Sequence, residues 1–299
     1  MGNGFKFSKN NKHPYVFIAP AVIILTVFSI IPIIVAFFIS FTDLDLKGLA
    51  DWSNISFIGL ENYSKLITDD LFHKSIINTL FYVVIGVPLV IIFSLGIALL
   101  LNYGTSSLFK VFRGVYYMPS ITNIIAVAVI WGFLYNTEYG LFNYLLSLLD
   151  VDKIPWLGEP TIAKLSLIVL AVWKGIGINM IIFLAALQGI PKSYYEAAEM
   201  DGANRLQVLF NVTIPLLRYA TFFVTITTLI GWLQFFEEPF VMTNGGPLDG
   251  TISMALFIYK KGFQFSEFGY AAAGSFILFI FIILITLFQF KLRKSDTEY

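Results

Sequence analysis

Six long apolar blocks constrain this chain more than any other feature of its sequence. Each block is close to the run of about 20 apolar residues that an α-helix needs to cross the hydrocarbon layer of a bilayer. The blocks are residues 15–40, 76–101, 115–135, 162–187, 216–236 and 268–290. A seventh apolar segment, 252–259, is too short to cross. We therefore predict an all-α integral membrane protein with six transmembrane helices.

The composition agrees with this class and excludes several functions. Hydrophobic residues make up 58% of the chain and charged residues 13%, against about 45–50% and about 25% in soluble domains. The formal net charge is zero, so charge gives no indication of nucleic-acid binding. The absence of cysteine excludes disulfides and thiolate metal sites. His13 and His73 lie near span ends without matching ligands, so no metal site is predicted.

The first apolar block follows three lysines, as the apolar core of a signal peptide follows a basic head; they are Lys6, Lys9 and Lys12. The block is much longer than the apolar core of roughly 7–15 residues in a signal peptide, and no small-x-small cleavage site follows it. We therefore predict that it is retained as the first span.

The distribution of lysine and arginine predicts the orientation of the spans. With the N-terminus inside, eleven of these residues lie in the inner segments and seven in the outer ones, which favours both termini in the cytoplasm. The predicted organisation begins with a cytoplasmic tail at 1–14, a first transmembrane helix at 15–40 and an extracytoplasmic loop at 41–75. A core domain of five transmembrane helices follows at 76–290 and includes a cytoplasmic loop at 188–215. The chain ends in a cytoplasmic tail at 291–299. The connections at 136–161 and 237–267 are then extracytoplasmic.

The cytoplasmic loop contains an unusually polar stretch, residues 193–210, between two apolar spans. Ser193 and Glu196 have the spacing of a capping box, which predicts a helix start. Gly202 is suited to ending that helix, and Asn204 to capping a second short one. The pattern predicts a helix–turn–helix at the membrane surface, with Pro191 before it and Pro215 at the start of the fifth span. Physical chemistry alone leaves open that it is an ordinary amphipathic connector.

The same loop carries a family motif. Its sequence from 196 to 215, EAAEMDGANRLQVLFNVTIP, resembles the EAA loop of ATP-binding-cassette importer permeases, whose pattern is E-A-A-x-x-D-G-A followed by a spacer, an apolar residue and proline. The matching positions are Glu196, Ala197, Ala198, Asp201, Gly202, Ala203, Phe210 and Pro215. The resemblance implies a type I importer (MetI-like) permease fold in the bacterial cytoplasmic membrane.

The resemblance extends along nearly the whole chain, towards the sugar-permease branch typified by the larger permease of the maltose importer. The shared motifs are VYYMPS at 115–120, AVWKGIG at 171–177, TNGGP at 243–247 and FGYAAAGS at 268–275. The chain lacks the large extracytoplasmic insert of that maltose subunit and has six predicted spans where that subunit has eight. It is therefore more similar to the compact six-span sugar permeases.

The resemblance implies a set of partners and no chemistry in this chain itself. The partners are a second homologous permease subunit, a dimer of ATP-binding-cassette ATPase subunits and an extracytoplasmic solute-binding protein, with a carbohydrate as substrate. ATP and Mg²⁺ would be bound by the ATPase subunits, so no cofactor is expected here. The loop helix would fit a groove on an ATPase subunit, with Glu196 making polar contacts, Ala198 allowing close approach and Gly202 permitting the turn.

Lys174 is the outstanding polar residue within a span, because intramembrane charges are costly and by default suggest function. It lies near the middle of the fourth span, and no predicted span contains an aspartate or glutamate to pair with it. We therefore expect its counter-group to be water, a backbone carbonyl, a second permease subunit or the substrate. It would face a solvated cavity in which Gly175 and Gly177 allow close approach. The alternative is a subunit interface.

The maltose-type resemblance also implies a substrate path. Carried over by motif, its residues are Tyr116, Ser120, Lys174, Gly175, Thr228, Gly231 and Trp232. Aromatic faces with hydroxyl, amide or ammonium groups suit a carbohydrate. However, Lys174 stands where the maltose subunit has an apolar residue, which leaves open glycerol phosphate or another small polar solute. A secondary transporter is less favoured, because such proteins use buried carboxylates or unwound ion sites, and the predicted spans contain no aspartate or glutamate. An intramembrane enzyme is also less favoured, because it would need a convergent nucleophile and base, and the predicted spans contain no histidine, aspartate, glutamate or cysteine.

Two further features have simpler expectations. Trp131, Tyr135 and Trp156 are interpreted as interface aromatics, which concentrate where a span meets the headgroups. The glycines and proline of TNGGP predict an ordered loop, which the resemblance places near the partner permease and the binding protein.

Overall fold

The structure, a computed structural model, describes residues 13–104 and 106–294. Most of the two predicted tails, 1–14 and 291–299, therefore lies outside the described residues. The described chain is helical, with one isolated antiparallel bridge between Thr42 and Phe57. It divides into two compact units: one lies within Met1–Leu66 and Lys261–Phe276, the other within Ile67–Lys260 and Ile277–Tyr299.

The first span consists of α1 (His13–Leu25), a π-helical turn (Thr26–Ile30) and α2 (Ile31–Ile39). Pro32, at the start of α2, has no N–H to donate, and its ring crowds the carbonyl four residues earlier. The wider π turn directly before it accommodates that conflict without breaking the helix. None of the described residues in the apolar window of this span is buried inside the chain.

The connection after the first span is ordered by caps and by one buried amide. Asp45 caps α3 (Leu46–Ala50), and α4 (Glu61–Thr68) follows. Asn62, at the start of α4, donates to the carbonyls of Ser40 and Thr42 at 2.9 and 2.8 Å. The same connection accepts the backbone N–H of Gly269 at the carbonyl of Leu44. It is shorter than the predicted loop 41–75, because the next helix begins at Asp70.

Three helices form the core of the second unit. They are α5 (Asp70–Asn102), α9 (Pro160–Gln188) and α13 (Arg218–Leu233). α5 packs along both of the others. One buried cluster includes Tyr82, Leu167 and Trp232, and a second includes Ala98, Phe183 and Val224. α5 and α9 contain the second and fourth predicted spans, and α13 covers most of the fifth.

The third predicted span is not one helix. The segment 115–135 is divided between α6 (Ser107–Ile121) and α7 (Ile124–Leu134), which meet at 98°. Thr122 is extended, and the side chain of Asn123 accepts the N–H of Ile125, so a new helix starts there. The third predicted span is therefore a bent pair of helices rather than one continuous helix. The apolar block in the sequence shows how long this segment is, but it does not show that the chain bends within it.

The loop and the fifth span are also joined by a bend. α10 (Lys192–Met200) and α11 (Arg205–Val208) lead into a π turn (Leu209–Thr213) and the short α12 (Ile214–Leu216). The segment Arg205–Leu216 meets α13 at 64°. Pro215 therefore lies in α12, before the bend, and the spanning helix begins at Arg218 rather than at the proline.

Two of the three aromatic side chains assigned to the membrane interface are buried in the core, and the third is partly buried. Tyr135 is 3% exposed and its hydroxyl donates to the carbonyl of Ser166 at 2.7 Å. Trp131 is buried, and the indole of Trp156 donates to Asn143, on α8 (Leu141–Ser147), at 3.0 Å. The interface interpretation is therefore wrong for Trp131 and Tyr135, and for Trp156 it stays a prediction. Tyrosine and tryptophan carry a polar group on a large ring, so a buried network satisfies them as well as a headgroup region does.

The last connection and the sixth span complete the chain. A π turn (Pro239–Thr243) is followed by an ordered loop and by α14 (Met254–Tyr259). α5 holds this loop, since Tyr82 donates to the carbonyl of Thr251 at 3.0 Å and Thr79 accepts the N–H of Met254 at 2.9 Å. The order predicted from TNGGP is confirmed. α15 (Phe268–Lys294) is the sixth span, so the described chain has four continuous spanning helices and two bent pairs.

Candidate functional site

A cavity of about 770 Å³ opens between α6, α9, α13 and the segment that follows α13. This volume is within the range of roughly 300–1,000 Å³ that is typical of small-molecule sites. Six of the seven predicted substrate-path residues line it: Ser120, Lys174, Gly175, Thr228, Gly231 and Trp232. Three helices therefore bring residues from distant parts of the chain to one space.

Tyr116 is the predicted path residue that does not line the cavity; the adjacent Tyr117 does. Successive residues on a helix point about 100° apart, so a one-residue difference decides which ring faces the space. The carbonyl of Tyr116 instead lies against Gly177, where an added Cβ would come into conflict with it. Gly177 thus allows α6 and α9 to approach closely.

Lys174 has a counter-ion in this chain, contrary to the sequence expectation. Its Nζ lies 2.9 Å from Oε2 of Glu237, and the side chains are 18% and 57% exposed respectively. α13 ends at Leu233, and the chain after it brings Glu237 to the middle of α9. The prediction failed because Glu237 is one residue beyond the predicted span and was placed at the outer surface.

Glu238 adds a second carboxyl group to the same wall of the cavity. It lies outside the spanning helices, in the connection after α13, and is only 7% exposed. Burial raises the pKa of Glu238, and the positive charge of Lys174 opposes that rise. The sequence analysis missed both glutamates, although two adjacent acids after an apolar block were a visible signal.

Two internal hydrogen bonds fix the cavity wall around Lys174. Ser120 on α6 donates to the carbonyl of Lys174 on α9 at 2.6 Å. Asn179, another residue that the sequence analysis missed, donates to the carbonyl of Gly175 at 3.0 Å. These bonds hold the backbone of α9, so the lysine projects from a rigid element.

Trp232 forms a fixed wall. Its ring stacks on Phe235 with centroids 5.1 Å apart. An added Cβ at Gly86 on α5 would overlap the ring carbons, which shows how closely the ring and the glycine pack. Most of the indole face therefore packs against other residues of this chain.

The second predicted site is the loop of α10 and α11. Gly202 has φ +73°, which only glycine adopts readily, so the predicted turn is confirmed. Asn204 and Gln207 form a reciprocal capping box with distances of 2.9 and 2.8 Å, so the predicted cap at Asn204 is also confirmed. The Ser193 capping box is wrong, because α10 starts at Lys192, with Pro191 rather than Ser193 at the N-cap and no side-chain cap.

The motif residues of this loop have different environments. Glu196, Ala197, Asp201 and Gly202 are exposed, whereas Ala203 is partly buried. Ala198 is 9% exposed, so its small side chain packs inside this chain and offers little surface to a partner. The role that the resemblance implies for Ala198, close approach of an ATPase subunit, stays a prediction. Large apolar side chains are exposed nearby, with Met200 at 89%.

Comparison with known proteins agrees with these features. The family model described as "Binding-protein-dependent transport system inner membrane component" matches residues 72–295. The "Probable ABC transporter permease protein YesP" of Bacillus subtilis (strain 168) is 38% identical over 296 residues, covering 97% of this chain and 93% of that protein. The "Arabinooligosaccharides transport system permease protein AraP" of the same organism is 32% identical over 291 residues, covering 97% and 91%.

A solved structure shares the fold. A chain in the crystal structure of a bacterial alginate ABC transporter, in complex with an alginate pentasaccharide-bound periplasmic protein, superposes with a TM-score of 0.80. The two chains are 23% identical, with 97% of this chain and 96% of that chain covered. The predicted importer-permease fold is thus confirmed. With its apolar helices, this chain is a multi-pass protein of the cytoplasmic membrane, and it belongs to the family of binding-protein-dependent transport system inner membrane components.

Proposed function

We propose that this chain is the permease subunit of an ATP-driven, binding-protein-dependent carbohydrate importer. It forms the translocation path with a second homologous permease subunit and receives solute from an extracytoplasmic binding protein. The observation that carries the proposal is the cavity between α6, α9 and α13, whose wall presents hydroxyl, ammonium and carboxylate groups beside aromatic rings. The similarity to a permease named for arabinooligosaccharide transport supports a carbohydrate.

The substrate path follows the cavity wall. Lys174 and Glu237 supply a donor and an acceptor for sugar hydroxyls, and the backbone at Gly175 and Gly231 leaves room for a ring. Thr228 and Ser120 are held by other protein groups and serve mainly to position the helices. Tyr117 takes the place that the motif gave to Tyr116. Trp232 is an apolar wall.

The loop 193–215 transmits force from a dimer of ATPase subunits. Its turn at Gly202 and its cap at Asn204 make it a defined shape, and exposed apolar side chains offer a partner a surface to cover. The most exposed of these are Met200, Leu206 and Phe210. Contact of this kind requires the loop, and with it both termini, to lie in the cytoplasm, where ATP is available. The chain itself performs no covalent chemistry, and the ATPase subunits bind ATP and Mg²⁺.

Uptake by the reconstituted transporter tests the function. The complete complex in proteoliposomes, with its binding protein outside, should accumulate labelled oligosaccharide only when ATP is enclosed. A proton or sodium gradient without ATP should give no accumulation. Uptake driven by the gradient alone would refute an ATP-driven importer and favour a secondary transporter.

A graded series at Glu196 tests the loop. Glu196→Lys reverses an exposed charge in the motif and should abolish oligosaccharide-stimulated ATP hydrolysis. Glu196→Gln keeps hydrogen-bonding atoms and should retain most of it. Co-purification of the ATPase subunits shows whether assembly or only stimulation is lost. Unchanged stimulation in both variants, with normal insertion, would contradict the coupling role.

A further inference from the structure

The Lys174–Glu237 pair leads to an inference about substrate class that rests on the function proposed above. We propose that the cavity selects neutral, hydroxyl-rich saccharides over saccharides that carry a carboxylate, and that Glu237 is the residue that excludes the charged ones. The lysine by itself suggests the opposite, because an unpaired ammonium in a solute path would attract an anion.

The charges of the cavity are already balanced within the chain. Among the described residues that line it, Lys174 is the one cation, and Glu237 and Glu238 are the acids. The ammonium of Lys174 lies 2.9 Å from Oε2 of Glu237, so its charge is compensated before any ligand enters. An anionic ligand therefore meets an ion pair whose two charges already compensate each other.

A ligand carboxylate has to compete for Lys174. Binding there means breaking the 2.9 Å contact between Lys174 and Glu237, and the ligand carboxylate and Glu237 then lie beside the same ammonium group. Carboxylates brought close together repel one another, and a partly enclosed space screens that repulsion less than bulk water does. A ligand carboxylate thus replaces one ion pair of Lys174 with another and adds repulsion between itself and Glu237. It therefore binds less tightly than a neutral group.

A neutral saccharide leaves the pair intact. An ammonium group has three donors, and Glu237 uses one of them, so Lys174 can still donate to sugar oxygens. The carboxylate oxygens of Glu237 can accept from sugar hydroxyls while they face the lysine. Charge-assisted hydrogen bonds of this kind are stronger than those between neutral groups. The exposed side-chain amide of Gln234 adjoins the same wall.

The similarity of fold does not decide between these classes. The structurally similar chain belongs to an importer of alginate, which is an acidic polysaccharide, but at 23% identity the likeness concerns the fold alone. Selection between neutral and acidic saccharides at this cavity is therefore a property of its side chains rather than of the fold. Glu237 is placed to provide it, because removing its charge frees the ammonium of Lys174 for a ligand carboxylate.

The test measures binding at the permease itself. The assembled transporter in lipid nanodiscs, without the binding protein, is titrated with neutral disaccharides (maltose, lactose and trehalose) and with the same sugars oxidised at one C6 to a uronate. We expect the wild type to bind at least one neutral sugar about tenfold more tightly than its uronate. Glu237→Gln, which keeps the shape of an exposed side chain, should reduce that preference about tenfold. Glu159→Gln, an exposed acid outside the cavity, should leave it unchanged.

Three results would overturn the proposal. The first is wild-type binding of a uronate as tight as that of its neutral sugar, and the second is an unchanged preference in Glu237→Gln. The third is no binding of any sugar at the permease while the complete transporter still takes up oligosaccharide with ATP, which refutes the site but leaves the importer function standing. Failure of all oligosaccharide uptake would instead refute the proposed function.

Discussion

At the scale of single residues, Gly86 sets how closely α5 approaches the ring of Trp232. An added Cβ would overlap the ring carbons Cζ3 and Cη2, and the ring is held by its stacking on Phe235. Because the ring cannot move away freely, we expect Gly86→Ala to lower the free energy of unfolding by about 1–3 kcal/mol, the usual cost of overpacking a core. Thermal unfolding of the purified protein in detergent measures the loss.

Gly96 provides the matched control, since it lies on the same helix and an added Cβ there meets nothing within 4 Å. Gly96→Ala should be neutral or stabilise the helix by up to about 1 kcal/mol, because alanine loses less backbone entropy than glycine. Equal losses in the two variants would show that Trp232 is not the cause.

The sequence was sufficient to single out Lys174 as a functional candidate, but not to identify Glu237 as its ion-pair partner. A lysine in the middle of a span is costly enough to be noticed in any sequence. Glu237 was missed because the apolar block continues to 236, whereas α13 ends at Leu233 and the chain then turns back to α9. The exchange of Tyr116 for Tyr117 has a similar origin, because a motif gives the region of a helix and packing decides which side faces the cavity.

At the scale of elements, the turn between α10 and α11 depends on the backbone of Gly202. Its φ of +73° lies in the left-handed region, and an added Cβ would meet no atom within 4 Å. Gly202→Ala therefore tests conformation alone, and we expect it to destabilise the turn by about 1–2 kcal/mol. In the assembled transporter, oligosaccharide-stimulated ATP hydrolysis should fall. In Gly202→Asn the stimulated hydrolysis should fall less, because asparagine tolerates this conformation. Equal hydrolysis in the wild type and in both variants would mean that the turn does not limit coupling.

The elements also show which parts of the fold the sequence could predict. Span lengths, the turn at Gly202 and the cap at Asn204 followed from hydropathy and local chemistry, which act within a few residues. The 98° bend between α6 and α7 could not be predicted, because hydropathy does not indicate the direction in which the chain runs. Ser193 failed as a cap because Pro191, with φ −59° and ψ 136°, already occupies the N-cap and places the serine inside the helix.

At the scale of the whole molecule, the distribution of lysine and arginine predicts which ends of the spans face the cytoplasm. The positive-inside bias of eleven against seven is moderate, since several lysines lie in the outer connections. Several of these are held by the protein; for example, Lys74 donates to the carbonyl of Leu248, and Lys164 donates to Asn78. Outer lysines with such structural roles weaken the bias without reversing it, so we retain cytoplasmic termini as the prediction.

The cysteine-free sequence makes this orientation directly measurable, because any introduced cysteine is the only thiol. Ser107 starts α6 and Ser147 ends α8, and both side chains are exposed. The predicted topology places them on opposite sides of the membrane. In intact spheroplasts, a membrane-impermeant maleimide should label Ser147→Cys at once and Ser107→Cys only after permeabilisation. The reverse pattern would invert the topology and place the loop 193–215 outside, where no ATPase could reach it, so the coupling proposal would fail with it.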